Sequence, residues 1–153
     1  MSAEENLKKL NIELPDAPEP VGDYVAYKKI GNLVFISGQV SFKKDGQLIK
    51  GKVGSDLNLE QAQVAAKACA INVIAQIKAA CNGDLNKVKN CIKLTGFVNS
   101  KDDFIDQPKV INGASELIAN IFNDAGKHSR AAVSVNSLPL GAAVEIEAIF
   151  EIN

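Results

Sequence analysis

The chain has 153 residues, 46% of them hydrophobic and 23% charged, with a formal net charge of −1. That is the length of one domain with enough apolar material for its own core, and the near-neutral balance removes the overall electrostatic pull towards nucleic acid or an anionic membrane. The opening MSAEENLKKL lacks the apolar stretch of a signal peptide and no later apolar run is long enough to span a bilayer, so a cytoplasmic location without a membrane partner is expected.

Residues 2–10 read as a short peripheral helix, and residues 14–20, with three of the five prolines, as an extended connector. Residues 1–20 are therefore expected to form an extension ahead of the domain proper. Runs rich in Val, Ile, Tyr and Phe follow over 24–29 and 32–40, separated by Gly31-Asn32 as in a hairpin. Within Ile36-Ser37-Gly38-Gln39 a glycine interrupts the strand pattern, which marks either a bulge or a close approach to the backbone. Residues 43–55 carry Gly46, Gly51 and Gly54 and read as a mobile loop with a short edge strand at Gln47-Leu48-Ile49.

Asn58 with Gln61 three residues on forms a capping box for a helix over 59–81, whose apolar stripe includes Ala62, Ala66, Cys69, Val73, Ile77 and Ala80. Alternation over 89–99 predicts a strand. Pro108 then opens a second helix over about 106–124, with the stripe Val110, Ala114, Leu117, Ile118, Ile121 and Phe122, and leaves Asn112 and Glu116 on its solvated side. Cys69, Cys81 and Cys91 are an odd set without a Cys-x-x-Cys pair, and His128 is the sole histidine, so neither a disulfide framework nor a metal centre is expected.

The last 25 residues carry the chemistry. Ala131, Val133 and Val135 alternate with Arg130, Ala132 and Ser134, and Val144, Ile146, Ala148 and Phe150 alternate with Glu145, Glu147 and Ile149. With Pro139 and Gly141 between them, the two runs read as a hairpin that puts Arg130, Glu145 and Glu147 on one face, unless the register slips by one residue. Two readings of Arg130 follow. It forms a cross-strand ion pair on a solvated face, or its guanidinium grips a substrate carboxylate while a nearby Glu holds a water. The element order describes an α+β fold, a mixed sheet with two helices packed on one face. The opposite face then needs a cover, which self-association supplies.

Gly22-Asp23-Tyr24-Val25, the run from Gly31 to Gln39, Ser129-Arg130-Ala131-Ala132-Val133, Leu138-Pro139 and the run from Val144 to Ile149 together resemble the YjgF-like or reactive-intermediate deaminase (Rid) family, also labelled endoribonuclease L-PSP, in its longer branch. The resemblance covers residues 21–153. It implies a chorismate-mutase-like fold assembled as a homotrimer with the sheets facing the centre and ligand clefts between subunits. It further implies that Arg130 binds the carboxylate of a short 2-imino acid, that Glu145 places the attacking water, and that Tyr24, Ser37, Gly38 and Asn112 line the same cleft. The implied reaction is hydrolysis to a 2-oxo acid and ammonia, with no cofactor and no metal. Two alternatives stand beside it: a non-catalytic protein that binds or senses a small carboxylate metabolite, and an endoribonuclease that inhibits translation. The last ranks lowest, since the chain is slightly acidic, 5% aromatic and without Trp to stack bases. The chain departs from the short branch at Asp23 and His128, each in place of Pro, at Ala132 in place of Cys, and by an insertion between Phe104 and Asn112. These changes bear on substrate choice before they bear on the carboxylate anchor.

Overall fold

A computed structural model describes residues 1–153. The elements are α1 (Ala3–Lys9), β1 (Tyr27–Ile30), β2 (Leu33–Val40), α2 (Leu59–Ala80), β3 (Val88–Asn99), α3 (Gln107–Phe122), β4 (Ser129–Val135) and β5 (Val144–Ile152). Local sequence sets most of these boundaries. The capping box at the start of α2 forms as expected, with the Asn58 side chain accepting from the Gln61 amide and the Gln61 side chain accepting from the Asn58 amide. Ser2 and Glu5 form a second such box on α1, whose Ala3 and Leu7 are buried in the main core.

The five strands form one mixed sheet in the order β1-β2-β5-β3-β4. Ile30 faces Leu33 across Gly31-Asn32, which confirms the first hairpin, although its leading strand begins at Tyr27 rather than residue 24. The second expected hairpin does not form. β4 runs parallel to β3, and β5 lies between β2 and β3, antiparallel to both. The reason lies in the connections. β3 to β4 through α3 is a βαβ crossover, and the segment from Asn136 to Ala143 is too long for a tight turn and carries the chain past the end of β3. The step from β2 to β3 through α2 crosses the sheet in the same direction, so a common handedness puts both helices on one face.

That face holds the core: Val34, Ile36, Leu94, Val98, Val144, Ile146, Ala148 and Phe150 point into it beneath α2 and α3. Glycines permit two close approaches. A Cβ on Gly96 would lie 2.5 Å from Ile111 Cδ1, and a Cβ on Gly113 would lie 2.3 Å from the Gln63 carbonyl oxygen, so α3 beds directly onto β3 and α2. The 43–55 loop is more fixed than its composition suggests. Val53 is fully buried, its N–H donates to Asn99 O at 2.7 Å, and its carbonyl accepts from the Lys101 amide at 3.0 Å. The other face of the sheet is open, with Leu33, Phe35 and Val133 all more than a third exposed.

Candidate functional site

The altered strand order separates the residues that the sequence grouped. Arg130 is level with Leu94, a buried residue of the helix-covered face, and its side chain turns towards α3. Glu145 is level with Phe97 and lies on the open face, between the buried Val144 and Ile146. Arg130 and Glu145 of one chain therefore stand on opposite faces of the sheet with β3 between their strands, and the shared face expected from a β4-β5 hairpin is corrected. The cross-strand ion pair, the first of the two readings of Arg130, does not form either, since Arg130 takes part in no salt bridge.

Arg130 is held from one side only. Its Nη1 donates to Asn112 Oδ1 at 2.8 Å and to Ser115 Oγ at 3.2 Å, which occupies both hydrogens of that nitrogen. Nη2 and Nε then present their N–H groups along the free edge of the guanidinium, the geometry that matches a carboxylate with two parallel hydrogen bonds. Asn112 is not merely solvated, as its place off the apolar stripe suggested. One turn into α3, it orients the guanidinium. Ser115, one turn further along the helix, and His128, two residues before Arg130, were not singled out as part of this group. The signals were the i, i+3 spacing of Asn112 and Ser115 and the i, i+2 spacing of His128 and Arg130, which place each pair on a common side of its element. These side chains line a shallow cleft of about 410 Å³.

The second group lies near the bulge in β2, where the pairing with β5 shifts register between Ile36 and Gln39. Gly38 sits there against Glu145: a Cβ at this position would come within 2.9 Å of Glu145 Cδ and Oε1, so only glycine leaves the carboxylate where it is. Ser37 donates its hydroxyl to the Val25 carbonyl at 2.7 Å and so ties down the segment after Tyr24. Tyr24 is half exposed and shares a small cavity of about 90 Å³ with Gly38. Two buried amides one turn apart on α2 fix the walls of this cavity, Asn72 donating to the Phe42 carbonyl at 3.0 Å and Gln76 to the Pro18 carbonyl at 2.6 Å. Tyr24, Ser37, Gly38 and Glu145 thus form one group, and Arg130 with Asn112 another.

Burial, followed by the like charge of Glu147, pushes the Glu145 carboxyl above its ordinary value. A carboxyl raised in the folded state favours folding while protonated, and that contribution is lost as the pH rises from the ordinary value through the raised one. Glu145→Gln is therefore expected to melt with the wild type in acid, where both side chains are neutral, and above it at neutral pH. Thermal denaturation at the two pH values checks this, and a variant less stable at neutral pH would contradict it.

Cys69, Cys81 and Cys91 are buried and free, and burial pushes their thiols up, that of Cys91 to about 12, so none is poised as a nucleophile. No three His, Cys, Asp or Glu side chains converge as metal donors, and no helix is long and apolar enough to cross a membrane.

A mixed five-stranded sheet with its helices on one face and a glycine bulge beside a strand carboxylate defines the chorismate-mutase-like α+β class. The chain belongs to the YjgF-like family: residues 4–151 match the family model described as "YjgF/chorismate_mutase-like, putative endoribonuclease". It is similar to Protein TCP17 of Trypanosoma cruzi, 44% identical over 97% of this chain and 92% of that one. The crystal structure of Atu1372 from Agrobacterium tumefaciens superposes with a TM-score of 0.91 at 47% identity, covering 99% of this chain and 94% of the other. At lower identity, a 2-iminobutanoate/2-iminopropanoate deaminase of Dermatophagoides farinae is 28% identical over 90% of this chain and 92% of its own. E. coli TdcF with bound serine superposes with a TM-score of 0.65 at 26% identity, covering 93% of this chain and 98% of the other.

Proposed function

We propose that the protein hydrolyses short 2-imino acids to 2-oxo acids and ammonia in a cleft built from two copies of the chain. The observation that carries this reading is the Arg130 guanidinium, with one nitrogen tied to Asn112 and Ser115 and the opposite edge free of any protein partner. A group held this way suits a planar carboxylate. The 28%-identical relative named 2-iminobutanoate/2-iminopropanoate deaminase supports this choice of substrate class.

The open sheet face with its exposed Leu33, Phe35 and Val133 supports the second half of the proposal. A homotrimer with the sheets turned inward covers that apolar surface and brings the Glu145 group of one subunit towards the Arg130 group of its neighbour. Sedimentation equilibrium is expected to give three chains per particle at micromolar concentration, and a stable monomer would contradict the assembly.

In the reaction, Arg130 fixes the carboxylate, so the adjacent imine carbon has one position in the cleft. Glu145 of the neighbouring subunit accepts a proton from water as the water oxygen bonds to that carbon and the C=N π electrons move to nitrogen. The resulting carbinolamine collapses. Its hydroxyl proton leaves, the C=O bond forms, and the C–N bond breaks as ammonia departs with protons returned through Glu145 or solvent. An imine carbon is already electrophilic, so orientation and one well-placed proton acceptor supply the needed acceleration without a covalent intermediate. A carboxyl raised by burial lies closer to neutrality than an ordinary glutamate and is the better matched to taking and returning a proton.

The test generates a 2-imino acid in situ and follows its decay. Faster conversion to the 2-oxo acid with the protein present is the expected result, and an unchanged rate at saturating protein would contradict turnover. A second reading, carboxylate binding without turnover, draws support from the serine bound to E. coli TdcF. That result would take the form of ligand binding with no acceleration.

A further inference from the structure

His128 makes two hydrogen bonds that fix the direction of a short relay. Its Nδ1 lies 2.7 Å from the Gly126 carbonyl oxygen, and its Nε2 lies 2.9 Å from Ser115 Oγ. A carbonyl oxygen only accepts, so Nδ1 carries a proton. In the neutral ring Nε2 is then a lone-pair acceptor and takes the one hydroxyl proton that Ser115 has to give. The Ser115 oxygen is left with its lone pairs towards Arg130, whose Nη1 donates to it at 3.2 Å. The bonds all run one way, from Arg130 to Ser115, from Ser115 to His128, and from His128 to Gly126.

We propose that the Ser115–His128 pair is a positioning device for Arg130: the neutral imidazole sets the Ser115 hydroxyl, and the hydroxyl sets the rotation of the guanidinium and with it the edge offered to a carboxylate. This rests on the reading of Arg130 as the carboxylate anchor. Asn112 alone gives the guanidinium a single hydrogen bond about which it can pivot, whereas a second bond from the same nitrogen fixes the plane. Protonating His128 sets a second cation against Arg130 at Ser115 Oγ, and their repulsion pushes the guanidinium out of its plane. An imidazolium donates from Nε2, the Ser115 proton must turn away, and Ser115 Oγ then receives donors from two cations at once.

The sign of the pH dependence separates this from simple electrostatics. The other charged side chains on the cleft are Glu116 on α3, Lys127 beside His128, which is paired with Asp124 at 2.8 Å, and Arg130 itself. A protonated imidazole adds positive charge near an anionic ligand and by Coulomb attraction alone strengthens its binding. Through the relay it weakens binding, because the anchor loses its orientation. The two effects oppose each other, and the proposal holds that orientation wins, since a two-pronged bond depends on angle as well as charge.

The experiment titrates 2-oxopropanoate, ionised over the whole range used, into the full-length wild type, Ser115→Ala, Ser115→Thr, His128→Phe and Arg130→Lys between about pH 8 and pH 5. Wild-type affinity is expected to fall as the pH falls. Ser115→Ala and His128→Phe should bind about tenfold more weakly at pH 8, the worth of one hydrogen bond to a charged group; His128→Phe should lose the pH dependence, whereas Ser115→Ala, which keeps the imidazole without the relay, should reverse its sign. Ser115→Thr, which keeps the hydroxyl, should recover both affinity and pH profile. Melting temperatures within the wild-type range show that each variant is folded. Wild-type affinity that rises in acid, or Ser115→Ala and His128→Phe binding as wild type while Arg130→Lys does not, overturns the relay and leaves the anchor standing. If Arg130→Lys binds as well as wild type, or wild type does not bind at all, the anchor itself fails and the relay with it.

Discussion

Arg130→Lys is expected to keep the melting temperature of the wild type while losing about 10- to 100-fold in affinity for a short 2-oxo acid, the worth of one lost hydrogen bond between charged groups. Lysine keeps the positive charge, but it offers a compact ammonium in place of a planar fork. It can satisfy Asn112 or reach the ligand along one line, and it cannot do both with the carboxylate gripped at two points. Stability should hold because Arg130 belongs to no ion pair whose loss would strand a buried carboxylate. Calorimetric titration and a thermal melt on the same preparation check the two halves. Unaltered affinity would return Arg130 to the role of an ordinary surface cation.

Gly113→Ala acts on the scaffold instead. In an isolated helix the change would stabilise by about 1 kcal/mol, since alanine is the better helix former. Here the new methyl would sit 2.3 Å from the Gln63 carbonyl oxygen and 3.0 Å from its carbon, both backbone atoms of α2 that cannot rotate aside. The clash is resolved only by lifting α3, and overpacking of this kind costs about 1–3 kcal/mol or more, so the net effect is destabilising. A melting temperature lower by about 5 °C is expected for a chain of this length. Asn112, the neighbour of Gly113, moves with the helix, so carboxylate affinity should fall in the folded fraction as well. A variant as stable as the wild type would mean that α3 has slack against α2.

Much of this was legible in the residues. The Asn58 and Gln61 pair fixed where α2 begins, Gly31-Asn32 fixed the first hairpin, and the glycine inside Ile36-Ser37-Gly38-Gln39 marked a bulge or a close approach, of which the structure has both, with Glu145 the approaching group. The pairing of the last two strands was not legible. Alternation with period two tells which residues of a strand share a face and says nothing about which strand lies alongside. Arg130 and Glu145 were each read correctly as strand residues, yet the insertion of β3 between β4 and β5 placed them on opposite sides of the sheet. The Ser115 and His128 contacts escaped for a related reason, since they join a helix to the start of a strand and depend on how α3 lies over β4.

A cleft that takes Arg130 from one subunit and Glu145 from another is tested most directly by mixing two inactive variants. Arg130→Lys and Glu145→Gln, each expected to be nearly inactive alone, are co-expressed in equal amounts so that their chains assemble at random. Every cleft that draws its arginine from a Glu145→Gln chain and its glutamate from an Arg130→Lys chain is then intact, about one in four for random pairing across a repeated head-to-tail interface. The imine-decay assay on the mixture is expected to return about a quarter of wild-type turnover per chain, by the same random pairing. Turnover no higher than the average of the two variants would contradict a cleft shared between subunits.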